Sequence, residues 1–291
     1  MPTGGISDGG NGECLSRLCE SSATFRGDTS VNLLWRFLSA FVLLPPLLLV
    51  GYLGGWYTWA FLVLFGSVAC WEWMRMFSAN RADQIIAVVG FVVLMATADP
   101  GLNLSISFLL LFLLISLYIL VIDGQKRAYR ITLILTASLY LGFLLRYIAL
   151  LRTLPDGWYL LLLCLAGTFG ADSFAFFVGK LFGRRHLFPR ISPGKTLEGS
   201  MASLLGGVLG VLLIAIVFGR PLAVIIPLGI LISLTALAGD LFESIFKREA
   251  GVKDSSHLIP GHGGFLDRLD SVLFTAPLTY CYAVLVLGLG G

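Results

Sequence analysis

The segment Ser244–Asp270, SIFKREAGVKDSSHLIPGHGGFLDRLD, lies between two long apolar runs at 221–245 and 266–288. It collects lysines, arginines, two histidines, a glycine pair and several carboxylates in a chain that is otherwise mostly apolar. Charges at a membrane boundary cost little when water solvates them, but charges that continue into apolar runs are costly. Here they continue into both runs, so the segment predicts a polar site at the boundary of a membrane protein.

Composition places most of the chain in a membrane. Of the 291 residues, 57% are hydrophobic and 13% are charged, and the mean hydropathy is +0.89. Soluble domains carry about 25% charged residues, and apolar runs of about 20 residues span a bilayer. The runs predict about nine transmembrane helices, at 33–54, 56–74, 84–98, 101–122, 129–150, 158–181, 197–219, 221–245 and 266–288. We therefore expect an all-α, polytopic integral membrane protein, with its first helix kinked at Pro45-Pro46.

The chain divides into three regions. Residues 1–30 are rich in Gly, Ser, Asp and Glu and contain no apolar segment, so they predict a disordered polar tail, with a functional arm as the alternative. Residues 31–155 hold the N-terminal transmembrane helices. Residues 156–291 hold the C-terminal helices and the expected catalytic region, and the spans together form one integrated membrane domain.

Basic residues are unevenly distributed among the loops. With nine spans, 17 of the 20 lysines and arginines fall on the side that holds the N-terminus. The positive-inside rule predicts that this side faces the cytoplasm. The two richest loops, 180–196 and 246–268, are also flanked by acids within the spans, which a topology signal alone does not explain. A basic face at headgroup height attracts anionic lipids and phosphorylated solutes.

Acidic side chains recur in three predicted spans near this boundary. They are Asp172 in the sixth span, Asp240 and Glu243 in the eighth, and Asp267 and Asp270 in the ninth. In the eighth span, Ser244 and Lys247 lie on the same helix face as the two acids, and the two acids of the ninth span also share one face. Their clustering predicts a shared cavity, where oxygen-only ligands suit Mg²⁺ better than zinc. The alternative is a structural set of ion pairs, for example Asp267 or Asp270 with Arg248 or Arg268.

A glycine pair precedes the last span. Gly263-Gly264 follows His262 and permits unusual backbone dihedrals and close backbone approach. Such a turn can present N–H groups to phosphate at a helix start, where the helix dipole also favours an anion. An ordinary loop turn is the alternative.

The segment RISPGKTLEGS, 190–200, contains Gly-Lys-Thr and suggests a phosphate loop. A Walker A motif needs a glycine where this chain has Pro189, so we reject that interpretation. Lys195 remains a predicted phosphate partner at a helix start, with Glu198 one turn inward.

These residues define a resemblance. The pattern S-x-F-K-R-x4-K-D-x-S-x2-I-P-x-H-G-G-F-x-D-R-L-D, at 244–270, closely resembles the signature of phosphatidate cytidylyltransferases, also called CDP-diacylglycerol synthases. The segments GADSFAFFVGKLFGRR, SPGKTLEG and AGDLFES look like other recurrent segments of that family. The resemblance covers about residues 160–275, and the first half of the chain is similar only in being hydrophobic.

The resemblance implies an enzyme that makes CDP-diacylglycerol and pyrophosphate from CTP and phosphatidate. It implies Mg²⁺ as the metal ion, and whether a second cation takes part stays open. It implies a multi-pass protein of a bacterial inner membrane with its active site facing the cytoplasm, an organelle membrane being the alternative. The expected partners are CTP, phosphatidate and the lipid bilayer, and no nucleic acid is expected. A homodimer is a further hypothesis, because Gly206 and Gly210 form a GxxxG pair, with packing inside the protomer as the alternative.

The site residues are assigned by role. The leading metal ligands are Asp240 and Asp267, supported by Asp172, Glu243 and Asp270. The phosphate partners are Lys195, Lys247, Arg248, Lys253 and Arg268. We expect His262 to hydrogen-bond phosphate during catalysis, Gly263 and Gly264 to supply backbone donors, and Glu198, Ser244 and Asp254 to contact substrate.

Two other classes stay open at this point. A secondary transporter for an anionic solute would also carry buried carboxylates, and it predicts internal repeats that the two halves do not clearly show. Another CTP-dependent or lipid-dependent transferase would keep the metal site and change the acceptor.

Overall fold

The structure, a computed structural model, describes residues 45–96, 104–121, 126–189, 191–256, 258 and 263–289. The tail expected at 1–30 and His262 lie outside these residues. The helices are α1 at 45–53, α2 Gly55–Met76, α3 Arg81–Met95, α4 Leu104–Val121, α5 Arg127–Ala137, α6 Leu144–Thr153, α7 Gly157–Phe182, α8 Leu197–Val217, α9 Leu222–Glu249 and α10 Leu266–Leu285. A π-helical turn, Ser138–Phe143, joins α5 to α6, and two strands, β1 His186–Phe188 and β2 Ser192–Thr196, lie between α7 and α8.

The described helices confirm an all-α integral membrane protein. Because α5, the π-helical turn and α6 run on without a break, the described residues form nine helical segments, one for each predicted span. Four of these segments are long and apolar enough to cross a membrane: Arg127–Thr153, Gly157–Phe182, Leu197–Val217 and Leu222–Glu249. The kink expected at Pro45-Pro46 lies at the edge of the described residues and stays a prediction.

Small residues let α7, α8 and α9 approach closely. A Cβ on Gly170 of α7 would lie 2.5 Å from the carbonyl oxygen of Gly206 in α8, and one on Gly210 would overlap the backbone of α7. On another side of α8, a Cβ on Gly207 would lie 2.8 Å from the carbonyl oxygen of Gly229 in α9. The glycines of α8 therefore pack inside the protomer, and the homodimer stays a prediction.

A short antiparallel hairpin occupies the basic segment between α7 and α8, where the sequence analysis expected a plain loop. His186 of β1 lies opposite Thr196 of β2. Thr196 also caps α8, because its side-chain oxygen accepts the Gly199 N–H at 3.2 Å. The hairpin therefore holds Lys195 beside the first turn of α8.

A buried ion pair joins three helices of the N-terminal half. Asp83 of α3 is almost fully buried and accepts hydrogen bonds from Arg130 of α5, at 2.7 Å from Nε and 2.9 Å from a terminal nitrogen. The Tyr118 hydroxyl of α4 donates to the same carboxylate. Because a buried carboxylate is costly without partners, these contacts fix the relative positions of α3, α4 and α5.

Candidate active site

A polar cavity of about 390 Å³ lies between the C-terminal parts of α7 and α9 and the N-terminal parts of α8 and α10, with β2 along one side. Its charged lining consists of five carboxylates, Asp172, Asp240, Asp254, Asp267 and Asp270, and three cations, Lys195, Lys247 and Arg268. The structure thus brings acids from three helices and a loop into one space. The lining has a formal excess of two negative charges, which favours binding of a cation.

Asp267 has the most hydrogen-bond partners of the predicted metal ligands, and its side chain is only 6% exposed. It lies in the first turn of α10. One carboxylate oxygen accepts from the Lys247 ammonium at 2.8 Å. The other accepts from the Ser255 amide at 3.0 Å, the Ser255 hydroxyl at 2.9 Å and the Gly264 amide at 2.8 Å. The orientation of this carboxylate is therefore fixed from both sides.

The glycine pair is required by the space around this carboxylate. Gly263 has a φ of 83°, and a Cβ there would lie 2.7 Å from the Asp267 carboxylate. A Cβ on Gly264 would overlap the Ser255 hydroxyl. The Gly264 N–H, predicted as a donor to phosphate, instead donates to Asp267 in this structure.

Lys247 lies between two acids. Its ammonium is 3.0 Å from Glu243, one turn earlier on α9, and 2.8 Å from Asp267 on α10. Glu243 is fully buried and does not line the cavity, so its contact with the site runs through Lys247. The arrangement places one positive charge between helices α9 and α10. The alternative interpretation paired Asp267 with Arg248 or Arg268, but the basic partner of Asp267 is Lys247.

Asp240 is the more open of the two leading acids. Its side chain is 35% exposed, with one oxygen 2.7 Å from the Lys195 ammonium. The other oxygen accepts a hydrogen bond from Ser244 at 3.3 Å. Ser244, predicted to contact substrate, therefore supports Asp240 here, and Lys195 spans from the hairpin to α9.

Besides Glu243, Ser244, Gly263 and Gly264, three further predicted site residues, Arg248, Glu198 and Lys253, lie outside the cavity lining. The exposed guanidinium of Arg248 donates to the carbonyl of Ile191 at 3.1 Å and to that of Val252 at 3.4 Å, so it ties the end of α9 to the hairpin. Glu198 accepts the backbone N–H of Arg184 at 3.1 Å and holds the exit from α7. Lys253 is exposed on the loop after α9.

Arg268 borders two different spaces. It lines the polar cavity and also a smaller apolar cavity of about 80 Å³ between α1, α2, α6, α7 and α10. The apolar lining includes Val50, Phe61, Leu165 and Val272. Arg268 is thus the charged residue at the boundary between the polar site and the hydrocarbon-like part of the helix bundle.

Comparisons with known proteins show the family to which the chain is related. Residues 34–286 match the model of the cytidylyltransferase family. The chain belongs to the cytidylyltransferase family. It is 36% identical to the phosphatidate cytidylyltransferase of Synechocystis over 270 residues, which cover 81% of this chain and 91% of that protein. It is 32% identical to that of Brucella abortus over 261 residues, 87% of this chain and 94% of the relative. It is 32% identical to the phosphatidate cytidylyltransferase of Bacillus subtilis over 232 residues, which cover 74% of this chain and 84% of that protein. The family predicted from the signature is confirmed.

The site of this cytidylyltransferase family member also uses a residue that the sequence analysis missed. Glu72 of α2 is fully buried and accepts hydrogen bonds from the loop that precedes α10. It lies in the first half of the chain, far from the signature. The signal that could have found it was a carboxylate inside an apolar run, the same signal that identified Asp172.

The donor set of the cavity fits a divalent cation. Among the described residues, no three His, Cys, Asp or Glu side chains form a preassembled metal site. Mg²⁺, however, is usually bound through one or two carboxylates together with substrate phosphates. The oxygen-only acidic lining and its formal excess of two negative charges suit such an ion, with Asp240 and Asp267 facing the same space.

Proposed function

We propose that the protein is a phosphatidate cytidylyltransferase, which makes CDP-diacylglycerol and pyrophosphate from CTP and phosphatidate in phospholipid biosynthesis. The observation that carries this proposal is the acid-rich polar cavity, lined by Lys195, Lys247 and Arg268, among membrane helices of a cytidylyltransferase family member. Such a space can bring two anionic phosphate compounds together at the edge of a bilayer. The relatives named phosphatidate cytidylyltransferase support the choice of acceptor.

The reaction is a nucleotidyl transfer. An oxygen of the phosphatidate phosphate forms a bond to the α-phosphorus of CTP. The bond from that phosphorus to the oxygen that bridges to the β-phosphate breaks, and pyrophosphate leaves with the electron pair. A phosphate monoester has a second pKa near 6 and is largely dianionic at neutral pH, so the nucleophile needs little help from a base.

The main task of the site is therefore to neutralise and align two anions. Lys195 and Lys247 point their ammonium groups toward the carboxylates of the cavity, 2.7 to 2.8 Å away. We assign the phosphate of the lipid substrate to Arg268, and its position at the boundary with the apolar cavity supports this, because the lipid chains can then remain in hydrocarbon. We assign the phosphates of CTP to the two lysines.

We assign Mg²⁺ binding to Asp240 and Asp267, with Asp172, Glu243 and Asp270 as supporting acids. A bound Mg²⁺ would supply charge neutralisation at the phosphate oxygens. Lys195 and Lys247 hold the same carboxylates in the described structure, so each lysine competes with a cation for these oxygens. A second cation and the part played by His262 stay predictions.

We also infer a bacterial inner-membrane location with the cavity on the cytoplasmic side. The one-sided distribution of lysines and arginines supports this orientation. CTP is a cytoplasmic nucleotide, so a cavity on that side has access to its substrate.

The decisive experiment incubates the purified protein in mixed micelles with labelled CTP and phosphatidate, with and without Mg²⁺. We expect label in a lipid product and release of pyrophosphate, both dependent on phosphatidate and Mg²⁺. Diacylglycerol phosphate analogues with a blocked phosphate serve as the control, because they lack the nucleophile. A protein that consumes CTP only with another acceptor would contradict the proposal.

A further inference from the structure

In the described structure, Glu72 is the one carboxylate of the first half of the chain that accepts hydrogen bonds from the loop between α9 and α10 and from the start of α10. This loop, residues 250–265, belongs to the signature segment, 244–270. Glu72 lies on α2, is fully buried, and its contacts are 183 to 194 residues further along the chain. One oxygen accepts from the Ser256 hydroxyl at 2.5 Å and from the Phe265 amide at 3.2 Å. The other accepts from the Leu266 amide at 2.9 Å.

These contacts cap α10 from another helix. The first N–H groups of an α-helix have no partner within the helix, and a carboxylate there is also favoured by the helix dipole. Phe265 is the N-cap residue of α10, and its side chain makes no capping hydrogen bond. Glu72 supplies the missing acceptors, so the start of α10 is fixed by α2.

The same loop connects Glu72 to Asp267. The Ser255 hydroxyl donates to Asp267 at 2.9 Å and lies 3.5 Å from Glu72. Three consecutive amides divide between the two acids: that of Gly264 donates to Asp267, and those of Phe265 and Leu266 donate to Glu72. A rotation of the loop that weakens one set of bonds would therefore displace the donors of the other.

We propose that Glu72 is a positioning residue of the cytidylyl-transfer site: it sets the orientation of the Asp267 carboxylate, and hence the affinity for Mg²⁺, without contacting substrate. The inference rests on the proposed function, since Asp267 is assigned there as a metal ligand. It assigns the N-terminal half a specific part in the site. That half is therefore more than a membrane anchor for the catalytic helices.

The test is Glu72→Gln, which keeps the size of the side chain but replaces one acceptor oxygen with an NH₂ donor facing the loop amides. Partners that orient metal ligands typically affect metal affinity or activity about 10- to 100-fold. We expect the Mg²⁺ concentration for half-maximal turnover to rise by about that factor. A second readout needs no turnover: the rise in thermal unfolding midpoint of the detergent-solubilised protein on titration with MgCl₂ should shift to higher Mg²⁺ by the same factor.

Two further variants keep the test decisive. Ser256→Ala removes one donor to Glu72 from a partly exposed loop, and we expect a shift in the same direction of about 3-fold or more, in proportion to the smaller change in the network. Ser138→Ala removes a buried hydrogen bond to the Ala87 carbonyl in the same half of the chain. It should lower thermal stability and leave the Mg²⁺ titration unchanged.

Unchanged Mg²⁺ titrations in Glu72→Gln and Ser256→Ala would overturn the proposal, even if stability falls. If Glu72→Gln does not fold, Ser256→Ala alone decides. A parent protein without any response to Mg²⁺ would also overturn it. A parent protein that binds Mg²⁺ but makes no CDP-diacylglycerol would instead refute the proposed function, and the thermal titration would still decide the role of Glu72.

Discussion

Replacing Asp240 with Asn separates the chemistry of the cavity from the stability of the fold. The change keeps side-chain size and removes one negative charge. The side chain is 35% exposed, and its partners are Lys195 at 2.7 Å and Ser244 at 3.3 Å. Asn retains an oxygen that can accept the Ser244 hydrogen bond, so the substitution mainly removes the ion pair with Lys195.

The expected magnitudes follow from these two interactions. An ion pair with this much solvent exposure contributes about 0 to 1 kcal/mol, so the thermal unfolding midpoint should barely change. The formal charge excess of the cavity falls from two to one, however, and a site built for a divalent cation loses one of two leading ligands. Loss of one preorganised electrostatic interaction with a transition state costs about 100- to 1,000-fold in turnover, or about 2.7 to 4 kcal/mol.

The assay measures CDP-diacylglycerol formation in mixed micelles at saturating CTP, phosphatidate and Mg²⁺, with unfolding of the same preparations followed in detergent. Asp156→Asn is a matched control, because Asp156 also forms an exposed ion pair, with Arg220, at the opposite end of α7. It should retain parental turnover. If Asp240→Asn retains half or more of the activity at ordinary Mg²⁺, Asp240 is not a metal ligand and the reasoning from the charge of the cavity is wrong.

Three further outcomes are expected. Asp267→Asn should lose activity as severely and also lose about 1 to 3 kcal/mol of stability, because it weakens the buried hydrogen bonds from Lys247, Ser255 and Gly264 while Lys247 keeps its pairing with Glu243; a melting curve like that of Asp240→Asn would contradict this. Arg248→Lys should retain only part of the activity, and Arg248→Ala less, because a lysine cannot bridge the two carbonyls that the guanidinium binds; identical kinetics of parent and Lys variant, with CTP and phosphatidate varied separately, would leave Arg248 as a topology signal. Cysteines introduced at 183–189 and at 289 should be labelled from opposite sides of the membrane, and equal accessibility would mean that the span count is wrong by an odd number.

Local patterns in the sequence predicted the helices well because hydropathy is itself a local property. The nine apolar runs correspond to the nine described helical segments, and even the short third span returns as α3, with 15 residues. Helical spacing likewise placed Asp240 and Lys247 on a face that borders the cavity.

Interactions between distant segments were beyond the reach of such patterns. The pairing of Lys195 with Asp240 depends on the hairpin, which holds Lys195 at the start of α8 within reach of α9, and nothing in residues 186–196 alone indicates this contact. Glu72 was missed because its partners lie more than 180 residues away. A carboxylate inside an apolar run signals that a partner exists, but the sequence does not show which helix supplies it.

The Asp83–Arg130 pair shows how one charge can have two successive effects. Arg130 is one of the 17 basic residues on the side predicted to face the cytoplasm, and such an orientation signal acts during membrane insertion, before the helices have packed. In the folded protein the same guanidinium pairs with a buried carboxylate, so its positive charge is balanced by a negative one. The predicted orientation signal is therefore a property of the chain before it folds, and Asp83→Asn would remove the carboxylate partner of Arg130 from the folded protein without removing that signal.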